Sequence, residues 1–207
     1  MKKQLLFRVI TILLLTISFS LLYGCSDDDD NNITPNQTLT ELDKSALLFM
    51  LEEEKLARDT YIYLDDMWSV NQFANIKNSE QTHMNSVENL LIQNNIEYTI
   101  LPIGEFENQM LQDYYDQFII DGTVSQSNAF QIGATIEDLD IKDLQDYLDV
   151  TTNSSLISVF ESLQCGSRNH LRSFVSGIEN GGNTYAPQFL SQDWYNSITS
   201  GSHEQCN

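Results

Sequence analysis

The chain has 207 residues, and its 10 lysines and arginines stand against 30 aspartates and glutamates, which gives a formal charge of −20. Such an acidic surface repels phosphate, so nucleic-acid binding is excluded as a function class. Hydrophobic residues make up 41% of the chain, and only three prolines and nine glycines interrupt it. Few breaks favour long helices over a many-turned sandwich, so the composition predicts a single all-α domain.

Residues 1–24 have the layout of a secretory signal peptide, with three cations, no acidic residue and an apolar run from Val9 to Leu22. The run ends in Leu22-Tyr23-Gly24-Cys25, which resembles the lipobox of bacterial lipoproteins, although Tyr23 stands where a small residue is usual. The resemblance implies cleavage before Cys25, acylation of this cysteine and a stable membrane anchor. A plain membrane-anchor helix is the alternative, because the run is near the shortest spanning length.

Residues 25–41 are predicted to be a disordered tether, because Asp27 to Asp30 and the asparagines after them cannot form a core. The segment also resembles the acidic stretch that follows the acylated cysteine in lipoproteins sent to the outer cell surface. We therefore expect a cell-envelope protein, lipid-anchored to the outer membrane and exposed at the surface. An acidic exterior concentrates cations, which makes metal ions or basic molecules better partners than phosphates.

Four long helical patterns fill residues 42–198, with a shorter connecting helix between the second and the third. The predicted bounds are Leu42–Trp68, Val70–Gln93, Phe106–Ile120 for the connecting helix, Gln126–Leu148 and Ser154–Ile178. Thr40 and Asp43 form a start that resembles a capping box. Aromatic residues after Pro187 favour a short helix or turn packed on the body, and residues 199–207 are predicted to be a tail.

Polar residues lie within the apolar stripes of the first two long helices, at about 100° of rotation per residue. Glu54 lies at the centre of the first stripe, whereas Glu52 and Glu53 fall outside it or at its edge. On the second helix, Glu80 and His83 are three residues apart and therefore face the same way.

The last two long helices repeat this pattern. Glu137 and Asp140 are again three residues apart within an apolar stripe, and Ser167 lies centrally on the final helix with His170 at the stripe's edge. Burying an isolated carboxylate costs several kcal/mol, so inward acids require a cation among them. Acids and Glu-x-x-His pairs on separate helices are the ligand arrangement of carboxylate-bridged dimetal bundles. The pattern therefore predicts a metal site, with iron preferred for the mixed oxygen and nitrogen ligands and manganese or zinc as alternatives.

Four motifs surround these residues: Glu54–Tyr61, Ser79–Met84, Gly133–Ile141 and Gly166–Arg172. Together they resemble the bacterial ferritin-like proteins of the DUF2202 group, over about residues 42–198. The first two motifs are more distantly similar to rubrerythrin, a di-iron four-helix bundle that reduces peroxides. The resemblance implies a ferritin-like four-helix bundle. Its implied metal ligands are Glu54, Glu80, His83, Glu137 and His170.

The chain departs from the dimetal pattern at Ser167, where a glutamate three residues before the second histidine is expected. Asp140, one turn after Glu137, is the candidate replacement and a sixth metal ligand. Without it the site would hold one metal, or bind the second loosely. The CxxC pairs of rubrerythrin's electron relay are also absent from the sequence, so an efficient self-contained peroxidase is less expected.

Each candidate ligand also has a structural explanation. Arg58, one turn after Glu54, could neutralise it without a metal, and Glu80 with His83 could be a satisfied polar pair. Asp140 could pair with Lys142 at a solvated edge. A core histidine bonded to a hydroxyl is the alternative for His170.

Cys165 and Cys206 are the cysteines left if Cys25 is acylated, and an extracytoplasmic compartment permits them to pair. A disulfide between them would fasten the tail to the last long helix.

Two function classes follow from these residues. The first is a metal-dependent oxidoreductase acting on O₂ or peroxide, or a metal-handling protein, with no catalytic residue assigned. The second is a non-catalytic acidic helical binding module, tethered to the membrane, whose polar core is vestigial.

Overall fold

The structure, a computed structural model, describes residues 38–206, and this part of the chain is all-helical and contains no strand. The helices are α1 (Glu41–Trp68), α2 (Asn71–Gln93), α3 (Gln109–Gly122), α4 (Gln126–Leu148), α5 (Ser154–Asn180) and α6 (Gln192–Thr199). The predicted all-α class is thereby confirmed. The predictions for the signal peptide, for acylation of Cys25 and for most of the tether fall outside the described residues.

The helix ends follow the local chemistry of the sequence. Thr40 and Asp43 form the predicted capping box, in which each residue's side chain bonds the other's backbone N–H. The connecting helix α3 begins at Gln109 rather than at the predicted Phe106, because the Asn108 side chain accepts from the first backbone N–H groups and caps it. Asn153 caps α5 in the same way. Short polar side chains therefore set where these helices begin.

The four long helices pack around one another. The most extensive contacts join α1 to α2 and α4 to α5, and further contacts join α1 to α4 and α2 to α5. The connecting helix α3 packs on α1 and α4, whereas α6 packs on α5. No helix within residues 38–206 is both long enough and apolar enough to cross a membrane.

The helical interior has two apolar clusters with a polar layer between them. The Tyr61 cluster includes Phe73 and Phe174, and the Leu47 cluster includes Met84 and Phe160. Along each long helix, the candidate metal ligands lie between residues of one cluster and residues of the other. Each fully buried large apolar side chain stabilises the fold by about 1.5–3 kcal/mol, so apolar packing above and below offsets the cost of the polar layer.

Two side-chain anchors hold the C-terminal segment against the body. The buried Asp138 carboxylate accepts hydrogen bonds from the Tyr185 hydroxyl at 2.8 Å and from the Leu190 backbone N–H at 2.8 Å, and it also accepts from two backbone N–H groups between them. Further along, Cys165 and Cys206 form a disulfide with their Cα atoms 5.6 Å apart. The chain end beyond α6 therefore lies against α5.

Candidate metal centre

The five residues implied as metal ligands lie together in the polar layer. They form two groups, Glu54 with Glu80 and His83, and Glu80 with Glu137 and His170. Within each group the potential ligand atoms all lie within 4.8 Å of one another. Because α1 contributes to the first group, α4 and α5 to the second and α2 to both, the complete site exists only when all four long helices are packed.

Glu80 lies at the centre of the site and faces both histidines. Its Oε1 is 2.8 Å from His170 Nδ1, and its Oε2 is 2.9 Å from His83 Nδ1. Glu54 Oε2 is 3.1 Å from His83 Nδ1, and Glu137 Oε2 is 3.4 Å from His170 Nδ1. Each carboxylate oxygen of Glu80 therefore belongs to a different group of ligands.

Several ligand atoms are buried without a hydrogen bond. Among residues 38–206, Glu54 Oε1, Glu80 Oε1 and His170 Nδ1 have no partner of hydrogen-bonding geometry. The last two atoms are nonetheless only 2.8 Å apart. Buried polar atoms are nearly always bonded, so a carboxylate oxygen and an imidazole nitrogen that converge in this way require a cation between them, which is either a proton or a metal ion. The residues present therefore fit a metal ion.

The buried charges shift the pKa values of the site strongly. Burial lowers the pKa of His170, but the negative charges of Glu80 and Glu137 outweigh burial and raise it to about 10. The pKa of His83 is raised in the same way, against burial, by Glu54 and Glu80. Burial raises the pKa of Glu54, and Asp140 adds to the rise. For Glu80, burial is outweighed by the two imidazolium charges, which lower its pKa. Protons on the histidines thus occupy the place of a cation when no metal is bound.

Arg58 does not neutralise Glu54, so the explanation of this buried carboxylate without a metal does not hold. Arg58 donates to Asp59 Oδ1 and to Gln81 Oε1 instead, at 2.7–2.9 Å. Within the described part of the chain, no lysine or arginine forms an ion pair with Glu54, Glu80 or Glu137. The histidines are therefore the cations of the protein that these carboxylates contact.

Asp140 and Ser167 occupy the position where the dimetal pattern expects another glutamate. The two side chains hydrogen-bond each other, and Ser167 Oγ also donates to the Leu163 carbonyl at 2.9 Å. One hydroxyl has one hydrogen, which serves either the Asp140 carboxyl or the Leu163 carbonyl, and a proton on Asp140 would let both bonds form at once. This agrees with burial raising the pKa of Asp140 to about 8. Lys142 pairs with Asp146 rather than with Asp140, and Asp140 belongs to neither ligand group.

Tyr61 and Glu53 were not predicted as parts of the site. The Tyr61 hydroxyl donates to Glu137 Oε1 at 2.5 Å and so fixes the orientation of this carboxylate. The prediction for Glu53 was wrong: this side chain is 1% exposed, beside the site rather than at the edge of α1. Burial raises its pKa, as do the charges of Asp140 and Asp143. Helical periodicity gave no indication of this, because α1 is covered by α2, α3 and α4 and not on one face alone.

The fold and the site define a class: an all-helical protein with buried glutamate and histidine groups that could bind a metal ion. The chain belongs to the DUF2202 family, which is described as "Uncharacterized protein domain (DUF2202)". The model of this family matches residues 43–202. This confirms the resemblance of the motifs to the DUF2202 group.

A relative from Methanocaldococcus jannaschii has the same fold. The chain is 43% identical over 173 residues to "Uncharacterized protein MJ0754" of Methanocaldococcus jannaschii, a match that spans 83% of this chain and 94% of the relative. The crystal structure of hypothetical protein MJ0754 from Methanococcus jannaschii superimposes with a TM-score of 0.80, covering 82% of this chain and 98% of that one.

Proposed function

We propose that this protein is a ferritin-like four-helix bundle that binds a pair of metal ions, preferentially iron, between its long helices. The observation that carries the proposal is the position of Glu80, whose two oxygens face the Nδ1 atoms of two different histidines at 2.8 and 2.9 Å. A carboxylate shared in this way by two ligand groups is what a metal-bridging glutamate requires.

The two groups would each hold one ion. Glu54, Glu80 and His83 would bind the first, and Glu80, Glu137 and His170 the second. Mixed carboxylate and imidazole donors suit iron, with manganese and zinc as alternatives. Iron in this site would supply one-electron redox chemistry and the binding of O₂ or peroxide. We therefore propose an oxidoreductase or metal-handling role, at the cell envelope, where Cys25 would carry the lipid anchor to the outer membrane.

The residues around the groups hold the ligands in place and keep water away from the two apolar sides of the layer. The Tyr61 hydroxyl orients Glu137, and the apolar clusters close the polar layer on both sides. Water exclusion strengthens every charge interaction within the layer. Asp140 would become a sixth ligand only if it lost its proton and its hydrogen bond to Ser167. The Asp140 and Ser167 pair therefore holds a proton beside the site rather than a metal.

Anaerobic loading with Fe²⁺, removal of free metal and elemental analysis test the proposal. We expect two ions per chain, one for each ligand group. Glu80→Gln should abolish the uptake of both ions, because it removes the charge that both groups share. Glu88→Gln is the matched control, since Glu88 lies on the same helix and accepts from the Tyr98 hydroxyl, outside the site. Wild-type protein that retains less than about a tenth of an ion per chain would refute the proposal and favour the acidic binding module.

A further inference from the structure

The candidate metal centre meets solvent on its histidine side. The side chains of Glu54, Glu80 and Glu137 are only 1–2% exposed, whereas those of His83 and His170 are each 11% exposed. A hydrated cation has to lose its waters to protein ligands as it enters a buried site. Among the five candidate ligands, the two imidazoles are therefore the groups that an entering cation can meet first.

A cavity of about 390 Å³ lies outside these two imidazole rings. It is bounded by α2, by α5 and by residues 203–206 of the C-terminal tail. Gly166 forms part of its α5 wall, and the His83 ring fits against this glycine so closely that a Cβ there would lie 2.7 Å from His83 Nε2. The α2 wall carries the polar side chains of Ser79, Thr82 and Ser86, and Asn169 adds an amide on α5. Hydroxyl and amide oxygens can replace water around a divalent cation, so the lining suits its passage.

The C-terminal tail forms one wall of this cavity and is held there at two points. Cys206 is bonded to Cys165 of α5. The Glu204 carboxylate accepts from Arg168 Nε at 2.9 Å and also pairs with Arg172. His203, which is exposed, lines the same cavity and offers an imidazole at its outer end. The covalent attachment and the ion pairs together keep residues 203–206 at the cavity that the two histidines of the site also line.

We propose that this cavity, bounded by α2, α5 and the tail, is the port through which hydrated divalent cations reach Glu80 and the ligands around it. The tail, fastened by the Cys165–Cys206 disulfide, limits the rate of this exchange. The inference rests on the proposed metal binding. It adds the route to the site and assigns a role to the tail, which contributes no residue to either ligand group.

Carboxylates on α1 and α4 offer a second polar approach to the site. Asp143 is half-buried beside the fully buried Glu53, and Glu53 adjoins Glu54 along α1. A cation that entered here would pass carboxylates rather than imidazoles and would not meet the tail. The two routes can therefore be separated by variants that change one and leave the other intact.

Co²⁺ uptake by the metal-free full chain tests the port, with rate and final stoichiometry both read from the visible absorption of bound Co²⁺. Cys165→Ala with Cys206→Ala removes the disulfide together with both of its sulfur atoms, so that neither is freed to compete for metal. We expect uptake at least about tenfold faster, the change that a barrier lower by about 1.36 kcal/mol produces. Ser86→Phe places a ring in the cavity and should slow uptake by a similar factor. Asn89→Phe, at an exposed position on the same helix, is the matched control and should leave the rate unchanged.

The rate of Co²⁺ uptake tests the port, whereas the final number of Co²⁺ ions per chain tests the metal site itself. The port is supported if the cysteine variant takes up Co²⁺ faster and the Ser86 variant takes it up more slowly, while both bind as many Co²⁺ ions per chain as the wild type. Wild-type rates in both variants overturn it, and slower uptake by Asp143→Asn would then assign entry to the acidic path. If the wild-type protein binds no Co²⁺ at equilibrium, the proposed function fails first and the port fails with it. Circular dichroism of each variant shows whether its helices are intact.

Discussion

Replacing Gly166 by alanine tests whether the close approach of α5 sets the position of His83. A Cβ at this position would lie 2.7 Å from His83 Nε2 and 2.8 Å from Cε1, whereas ordinary contact begins at 3.4 Å. Because Gly166 lies within a packed helix, the imidazole has to move. His83 Nδ1 would then leave its positions 2.9 Å from Glu80 Oε2 and 3.1 Å from Glu54 Oε2.

Two opposing terms set the expected size of the effect. Overpacking a core costs about 1–3 kcal/mol, and alanine in a helix interior recovers up to about 1 kcal/mol relative to glycine. A net loss of about 1–2 kcal/mol lowers Tm by roughly 2–8 °C for a domain of this size. Displacing a supported ligand typically weakens metal affinity by about 10–100-fold. Thermal unfolding followed by circular dichroism measures the first quantity, and Co²⁺ titration measures the second.

Gly177→Ala provides the control on the same helix. A Cβ there would lie 3.2 Å from the Phe130 ring, which is only partly buried and can yield, and neither residue belongs to a ligand group. This variant should bind Co²⁺ as the wild-type protein does. If Gly166→Ala also binds Co²⁺ with wild-type affinity, the close approach of α5 does not position His83, and the reasoning is refuted.

Three further predictions concern the proton balance, the anchor of the C-terminal segment and the missing ligand. Burial lowers the pKa of His170 but Glu80 and Glu137 raise it to about 10, so a metal has to displace a proton. Co²⁺ affinity should therefore rise with pH up to about 10. The imidazolium also stabilises the metal-free protein; this stabilisation is complete below about pH 6.5 and should be lost as the pH rises through 10. An affinity and a stability that do not change across this range would contradict the prediction. Asp138→Asn turns an accepting oxygen into a donor that faces other donors, which should cost about 1–3 kcal/mol in urea unfolding; an unchanged midpoint would show that this anchor contributes no stability. Ser167→Glu should lower the Tm of the metal-free protein, because it adds a buried negative charge. Co²⁺ should raise the Tm of this variant by more than it raises that of the wild type. Equal Co²⁺-induced shifts in Tm would rule out position 167 as a ligand position.

Local patterns predicted the helices well because their causes are local. α4 begins and ends at the predicted residues Gln126 and Leu148, and the capping box at Thr40 is present. Hydrophobic periodicity depends only on the 3.6-residue repeat and on which residues avoid water. The same periodicity identified Glu54 and Glu80 as inward-facing, since Glu54 lies at the centre of one apolar stripe and Glu80 lies within another.

Local patterns could not predict which charged side chains form ion pairs with each other. Arg58 is one turn from Glu54, yet it bonds Asp59 and Gln81, because Asp59 is fully buried and also binds Lys55. A buried carboxylate attracts every cation within reach, and which cations are within reach depends on the loop at residues 102–105, whose carbonyls accept from Lys55 as well. Nothing in the spacing along α1 contains that information.

The sequence by itself determined that acids and histidines would face the interior of an all-helical domain, because amphipathic spacing assigns an inward direction to each side chain on its own helix. Only the tertiary structure decided that Glu80 would face both His83 and His170, that Glu53 would be buried, and that the tail would lie across the histidine side. The physical reason is that a helical repeat sets direction about one axis, whereas distances between side chains depend on how several axes are shifted and rotated against one another.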